Sequence, residues 1–305
     1  SSSNKSSLNL NDDVFFDKTK KLVISVDTYN EGIHFFNFKN PDLVIKKIIR
    51  SSISDIICKG VTPKYYFISG SGNKKYFSVK NLKRLSKALK QEQSKFGISL
   101  CGGDTVKSDR LSFTITSIGF SKKIIKRNNA FNNDDIYVTG NLGDSFIGLK
   151  ILQNKISTSR NFKDYFVKNY FHPNLNLELA KRLFKFANTS IDVSDGLIAD
   201  LEKLINRQNL SYIVYLNKIP ISKRLKKLIK IKNFKKETII SQGDDYQILF
   251  TASKSKSRII DKTAKVMGIK ISKIGEIRPN NKKSVIINKK GEKIEVKHKG
   301  YYHKF

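Results

Sequence analysis

The sequence predicts an α/β (α+β) protein of two domains, residues 1–130 and 131–305, and three observations carry that prediction. The chain has 305 residues, enough to bury two cores. Short β-branched runs and amphipathic segments are mixed in both halves, with no short-period repeat. A polar stretch, residues 121–134, separates the two patterned halves and contains Lys126-Arg127.

In the first half, residues 1–11 are polar and read as flexible. Residues 22–26 are apolar and β-branched, which predicts a buried strand ending at Asp27 and Thr28. Asn40-Pro41-Asp42 marks a helix start, and Gly60 a stop. Residues 64–69 read as a strand. Gly70-Ser71-Gly72 lacks the spacing of a phosphate loop and reads as a turn. Residues 79–96 form a basic amphipathic helix. Residues 98–100 lead into Gly102-Gly103-Asp104-Thr105, where glycine lets backbone N–H groups approach a ligand. Residues 111–120 predict a long strand.

The second half opens with a strand at 136–139, a turn at 140–143 and a helix at 145–152. A helix is predicted at 175–187, then a turn in SIDVSDG (190–196), then a helix at 197–206. Strands follow at 212–216, 246–251 and 271–277. Basic helical residues follow Pro220, and a helix covers 255–267. Residues 284–296 read as a hairpin around Lys289-Lys290-Gly291.

Composition narrows the function classes. No apolar run approaches the roughly 20 residues of a membrane span, and no signal-peptide core is visible. Cys58 and Cys101 lack metal-ligand spacing, which predicts a cytoplasmic chain with two inert thiols. The net charge is +33, from 59 Lys+Arg against 26 Asp+Glu. Nucleic acid is one reading of such a charge. The basic residues are spread along the whole chain and no nucleic-acid motif accompanies them, so a bias toward Lys, Asn and Ile is preferred. The four histidines include no HExxH pair, and neither GxSxG nor a Rossmann GxGxxG occurs.

The acids are more informative. Asp12-Asp13 precede the first strand, Asp27 tips it, Asp55 lies among Ile53, Ile56 and Ile57, and Asp104 follows two glycines. Asp192 and Asp195 flank a turn, and Asp244-Asp245 precede a strand. A carboxylate at the end of a buried strand is costly unless a cation lies beside it. Magnesium takes such oxygen ligands together with water and phosphate. A site fed by Asp13, Asp27, Asp55, Asp104 and Asp192 would hold several ions against a triphosphate, with no protein base required when the acceptor is itself a phosphate.

These segments resemble the thiamine-monophosphate kinase family, within the superfamily of aminoimidazole-ribonucleotide synthetase and selenophosphate synthetase. The matching stretches are Asn11-Asp12-Asp13, SVDTYNEGIHF, SISDIICKGVTP, GGDT, IYVTGNLGDSFIGL, SIDVSDGLIADL, QGDDYQILF and KGYYH, in family order over nearly the whole chain. The resemblance implies an N-terminal α/β domain that dimerises through its sheet, a C-terminal α/β domain, and ATP in the cleft between them. It implies direct phosphorylation of thiamine monophosphate to thiamine diphosphate by ATP, with several Mg²⁺ ions and K⁺ left open. Carried over by motif, Asp13, Ser25, Asp27, Asp55, Asp104, Asp192 and Asp195 are the metal-site residues. Gly103, Asp104, Arg127 and Ser194 would contact ATP; His34, Asp244 and Tyr301 would contact thiamine monophosphate.

Three positions depart from the family pattern: Asn11 for glycine, Val26 for threonine, and Asp244 for glutamate. A sister synthetase is the first alternative. Selenophosphate synthesis would want a reactive cysteine near the N-terminus, and the first here is Cys58, inside an apolar helix. A basic nucleic-acid binder is the second, and it would not need the retained aspartates.

Overall fold

The computed structural model describes residues 4–302; residues 1–3, and His303 of the KGYYH stretch, lie outside the described residues. The first sheet is built from β1 (Phe15–Asp17), β2 (Leu22–Asn30), β3 (Pro63–Gly72), β4 (Ser99–Gly102), β5 (Thr105–Lys107) and β6 (Ser112–Phe120). Its order is β1-β2-β6-β3-β4, with β5 also pairing β3. Helix α1 (Pro41–Cys58) connects β2 to β3, and α2 (Val79–Phe96) connects β3 to β4.

The second sheet contains β7 (Asp135–Thr139), β8 (Thr189–Asp192), β9 (Leu210–Tyr215), β10 (Ile248–Ala252), β11 (Ile271–Pro279), β12 (Val285–Ile287) and β13 (Lys293–Ile294). Its order is β13-β12-β9-β11-β7-β10-β8. The accompanying helices are α3 (Asp144–Leu152), α4 (Arg160–Phe171), α5 (Leu177–Leu183), α6 (Leu197–Leu204), α7 (Lys223–Lys232), α8 (Lys236–Ile240) and α9 (Ser257–Met267). No helix among the described residues is long and apolar enough to cross a membrane.

Helix α1 organises both halves. Pro41 sits in its first turn, and Gly60 just beyond its end takes φ +79°. Its isoleucines 45, 48, 49, 53, 56 and 57 are all essentially inaccessible, each contributing about 1.5–3 kcal/mol by burial. One side packs on β2 and β6, the other on β8, α4 and α5. The main core therefore runs without a break from Phe113 of β6 through Ile48 and Ile53 to Tyr170, Leu179 and Phe250.

Several local expectations change. Residues 5–10 make a 3₁₀ turn that kinks into left-handed backbone at Leu8, Asn9 and Leu10, and Leu8 packs beside Val14 and Phe16. Strand β2 does not stop at Asp27: it runs to Asn30, because Thr28 and Tyr29 pair with Thr114 and Phe113 of β6. Gly70-Ser71-Gly72 is not a turn but the end of β3, held by Thr105–Lys107 on one side and Ser112–Phe113 on the other. The first residues of SIDVSDG belong to β8, paired with β10.

Helix α2 buries Leu85, Ala88 and Phe96. It also buries Glu92, which accepts from Arg50 Nε and Nη2 at 2.7 and 2.9 Å. His172 caps α4 nearby, and among the described residues its Nδ1 has no hydrogen-bond partner. Burial, with the positive charges of Arg50 and Lys46, pushes its pKa down to about 4. The unfolded chain therefore binds a proton near pH 6.5 that the folded chain refuses until about pH 4, so stability falls as pH drops through that window. His172→Gln should flatten that part of the profile, read as the difference in melting temperature between variant and parent from pH 7 to pH 4.5. Parallel profiles would remove His172 as the cause.

The outward face of the first sheet carries exposed apolar side chains among threonines. Val26, Tyr65, Phe67, Val106 and Phe120 are between 39% and 61% exposed. Val26 and Phe67 flank the same residue, Thr116, so they share one face.

Candidate functional site

A cleft of about 500 Å³ opens between the two sheets and is lined from both. Its acidic part comes from three elements. Asp27 lies on β2, Asp55 on α1 and Asp192 at the end of β8. Ser25 Oγ donates to Asp55 Oδ2 at 2.5 Å, Ser54 Oγ to Asp192 Oδ2 at 2.5 Å, and Tyr29 Oη to Asp27 Oδ2 at 3.2 Å. Hydroxyls, not protein cations, are the direct partners of this trio.

The electrostatics follow. Burial, then the charge of Asp192, pushes Asp27 up to about 6. Burial and the charges of Asp27 and Asp192 hold Asp55 well above the usual carboxylate range. Asp192 is raised by burial. Three acids packed this way favour a cation between them. Their oxygens are hard donors, the kind that suits Mg²⁺. Among the described residues no three His, Cys, Asp or Glu side chains form a cage able to hold an ion unaided.

The other acids carry protein cations. Lys59 Nζ lies 2.7 Å from Asp12 Oδ1 and 2.6 Å from Asp13 Oδ2. Arg127 donates its backbone N–H to Asp12 Oδ2 at 3.0 Å and Nε to Asp13 Oδ2 at 3.1 Å. Lys203 pairs with Asp195 and, at 3.1 Å, with Asp200. Asp200 accepts from the N–H groups of Asp195 and Gly196, which fixes the turn after β8, and burial pushes it up to about 7.

Two further segments dock on that turn. Asp244 N–H donates to Ser194 O at 2.7 Å and Tyr246 N–H to Val193 O at 2.8 Å. This loop is left-handed at Gly243 (φ +73°), Asp244 (φ +68°) and Tyr246 (φ +52°). A Cβ on Gly243 would lie 2.2 Å from Ser194 O, so only glycine fits there. Non-glycine residues held in this region mark a site fixed by its surroundings. The C-terminal stretch also arrives here, Tyr301 N–H donating to Asp195 O at 2.9 Å.

The cleft is also lined by aromatic and aliphatic side chains, Tyr29, Ile33, Phe146, Leu149, Tyr170 and Tyr246. His34 lies there, edge-on to Tyr29 at 5.8 Å. Its Nδ1 accepts from Asn30 N–H at 3.0 Å, which makes Nε2 the donor nitrogen of the neutral ring. Beneath, the buried Lys47 Nζ bonds Asp244 Oδ1 at 2.5 Å and stands 4.2 Å from the Tyr170 ring centroid.

The structure thus gathers Asp13, Asp27, Asp55, Asp192, Ser194, Asp195, His34, Asp244 and Tyr301 around one cleft, with Ser25 directly behind Asp55. Arg127 stands on the Asp12–Asp13 pair. Gly103 and Asp104 are elsewhere, exposed at the far side of the first sheet. Asp27, Ile115 and Ile68 form one row across β2, β6 and β3. A Cβ on Gly103 would lie 1.7 Å from Ile68 O, so the GGD segment begins one strand further on. Asp104 is then three strand spacings from β2, roughly 14 Å. Sequence reasoning missed Lys47, Lys59, Lys203, Tyr170 and Tyr246. Among 59 basic residues the three lysines carry no contrast. Lys59 had one usable signal, a cation at the C-terminal end of an apolar helix.

Residues 11–121 match the family model described as AIR synthase related protein, N-terminal domain. The chain is 34% identical over 292 residues to a thiamine-monophosphate kinase of Buchnera aphidicola subsp. Acyrthosiphon pisum (strain APS), covering 90% of this chain and 87% of that relative. It is 30% identical over 241 residues to a thiamine-monophosphate kinase of Aquifex aeolicus (strain VF5), covering 78% of each. Among solved structures, AaThiL complexed with AMPPCP and TMP superposes with a TM-score of 0.84 at 26% identity, covering 96% of this chain and 91% of that one.

Proposed function

The chain belongs to the thiamine-monophosphate kinase family, and on that premise we propose how its cleft transfers phosphate. The protein phosphorylates thiamine monophosphate to thiamine diphosphate with ATP as donor. We place the thiamine rings against Tyr29, Ile33, Phe146, Tyr170 and Tyr246, with the substrate phosphate directed at the acids. His34 and Asp244, the latter held by Lys47, would supply polar contacts to the substrate. ATP lies over the Ser194 turn, with Tyr301 beside it.

Asp27, Asp55 and Asp192 would hold Mg²⁺, which when bound neutralises the phosphates and favours in-line transfer. Ser25 and Ser54 fix the carboxylates of Asp55 and Asp192, so that little reorganisation remains at the moment of transfer. The attacking oxygen belongs to a phosphate already ionised, and no side chain needs to take a proton from it. The observation that carries this reading is an acid trio that, among the described residues, forms no direct ion pair, in a cleft also lined by aromatic side chains.

Two further points belong to the same proposal. The boundary between domains falls near residue 130, between the sheets. The uncovered face bearing Val26, Tyr65, Phe67, Val106 and Phe120 pairs with the same face of a second copy, by an isologous contact. A two-fold pairing of that kind lays the β5 side of one sheet over the β2 side of the other. Asp104 and Gly103 of the second copy then reach the site from which their own chain keeps them.

Chromatographic separation of thiamine species tests the activity, with protein, ATP, Mg²⁺ and either thiamine monophosphate or free thiamine. Thiamine diphosphate should form from the monophosphate alone and only with Mg²⁺. Phosphorylation of free thiamine, or no product at all, would overturn the reading.

A further inference from the structure

We propose that Lys59 is a built-in cation of the phosphate site, its ammonium filling, against Asp12 and Asp13, the place a divalent ion would otherwise take. The inference rests on the preceding reading of the cleft as a metal-assisted phosphate site. It starts from how charge is distributed around that cleft. Asp12 and Asp13 face two protein cations, Lys59 and Arg127. Asp195 and Asp200 share Lys203. Asp27, Asp55 and Asp192 are instead met by hydroxyls, Tyr29, Ser25 and Ser54 among them, and none of the three is in a salt bridge among the described residues. The acids, which look alike in sequence, therefore form one pair held in direct ion pairs and one trio that, among the described residues, has none and feels Lys59, Lys203 and Arg127 only at longer range.

Lys59 cannot leave its position. It follows the last residue of α1, its side chain is 0% exposed, and Nζ also donates to Ser190 O of β8 at 2.9 Å. Ser190 Oγ in turn donates to Cys58 O, so that the α1–β8 junction closes around the lysine. An ion displacing Nζ from Asp12 and Asp13 would part a buried ammonium from both of its direct ion-pair partners, which is strongly unfavourable. An ammonium presents three N–H donors, and here two carboxylates and one carbonyl meet them. The Asp12–Asp13 pair is thus a fixed anchor of the cleft wall, and divalent ions are confined to Asp27, Asp55 and Asp192.

Counting bound Mn²⁺ tests this on the full chain, stripped of metal with a chelator. Free Mn²⁺ is read by electron paramagnetic resonance at saturating AMPPCP. Asp13→Asn should bind as many ions as the parent, and Asp55→Asn at least one fewer. Lys59→Met, checked for folding by circular dichroism, should bind one more, because its unmasked acid pair now takes an ion. Loss of an ion in Asp13→Asn would overturn the proposal, as would a folded Lys59→Met with the parent's count. Should Lys59→Met not fold, the Asp13→Asn count decides alone. An Asp55→Asn protein with an undiminished count would instead overturn the metal reading of the trio, and the inference with it.

Discussion

Asp55→Asn and Asp192→Asn each lower the rate of thiamine diphosphate formation by about two to three orders of magnitude, the scale on which one preorganised charge acts in transition-state stabilisation. The same variants, stripped of metal, melt higher than the parent. Asn keeps the size of the side chain and can still accept from Ser25 or Ser54, so packing is unchanged. What changes is the repulsion within the trio. Asp27 is pushed up to about 6 in the folded protein by burial and the charge of Asp192, from about 4 when unfolded. The folded state therefore binds more protons between those values, and the metal-free parent loses stability as pH rises through that window. Removing one charge relieves this at neutral pH, worth about 2–4 °C for each kcal/mol recovered. Loss of activity with a gain in stability separates a functional acid from a structural one. A variant that melts lower, or keeps full turnover, would contradict the assignment.

Asp104→Asn is inactive alone, and so is Asp55→Asn, yet their mixture is active. If each site takes Asp55 from one copy and Asp104 from the other, a mixed dimer contains one intact site and one doubly altered site. Random pairing of equal amounts gives mixed dimers in half the population, so about a quarter of all sites are intact. Subunits would be unfolded together and refolded to allow exchange, and turnover compared with each variant treated alone. Recovery near a quarter of parental activity supports the paired-sheet arrangement. A mixture as inactive as its components removes Asp104 of the second copy from the site.

Much of the fold was legible because local signals agreed with tertiary packing. The helix predicted at 79–96 coincides with α2, whose N-cap Ser78 accepts from Asn81 N–H and whose C-cap Gly97 is left-handed. Helix α1 announced itself through Asn40-Pro41. Helix α4 was not foreseen: its aromatic residues favour no helix on their own, and packing against α1 and α3 organises it. The end of β3 was misread because Gly-Ser-Gly carries turn chemistry, while partners on both sides make it a strand. In the site, the trio Asp27, Asp55 and Asp192 was visible as acids flanked by apolar residues. Their division from Asp12 and Asp13 was not, since it depends on where Lys59 and Arg127 end up in space. Asp104 shows the complementary limit: a motif names a residue, and only the sheet's strand order says how far it stands from Asp27.

Helix α1 also bears on how the protein is made. Its isoleucines are covered on one side by residues up to 120 and on the other by β8, α4 and α5, with Phe250 of β10 completing the core. During synthesis the first sheet emerges on the order of ten seconds before the last of that cover. For that interval the nascent chain carries an uncovered apolar helix and an uncovered apolar sheet face together. The growing polypeptide is therefore at its most adhesive midway through translation, when a chaperone that shields hydrophobic surface would have most effect on yield. Shortening the interval with faster codons in the second half should raise the soluble fraction without altering the finished enzyme.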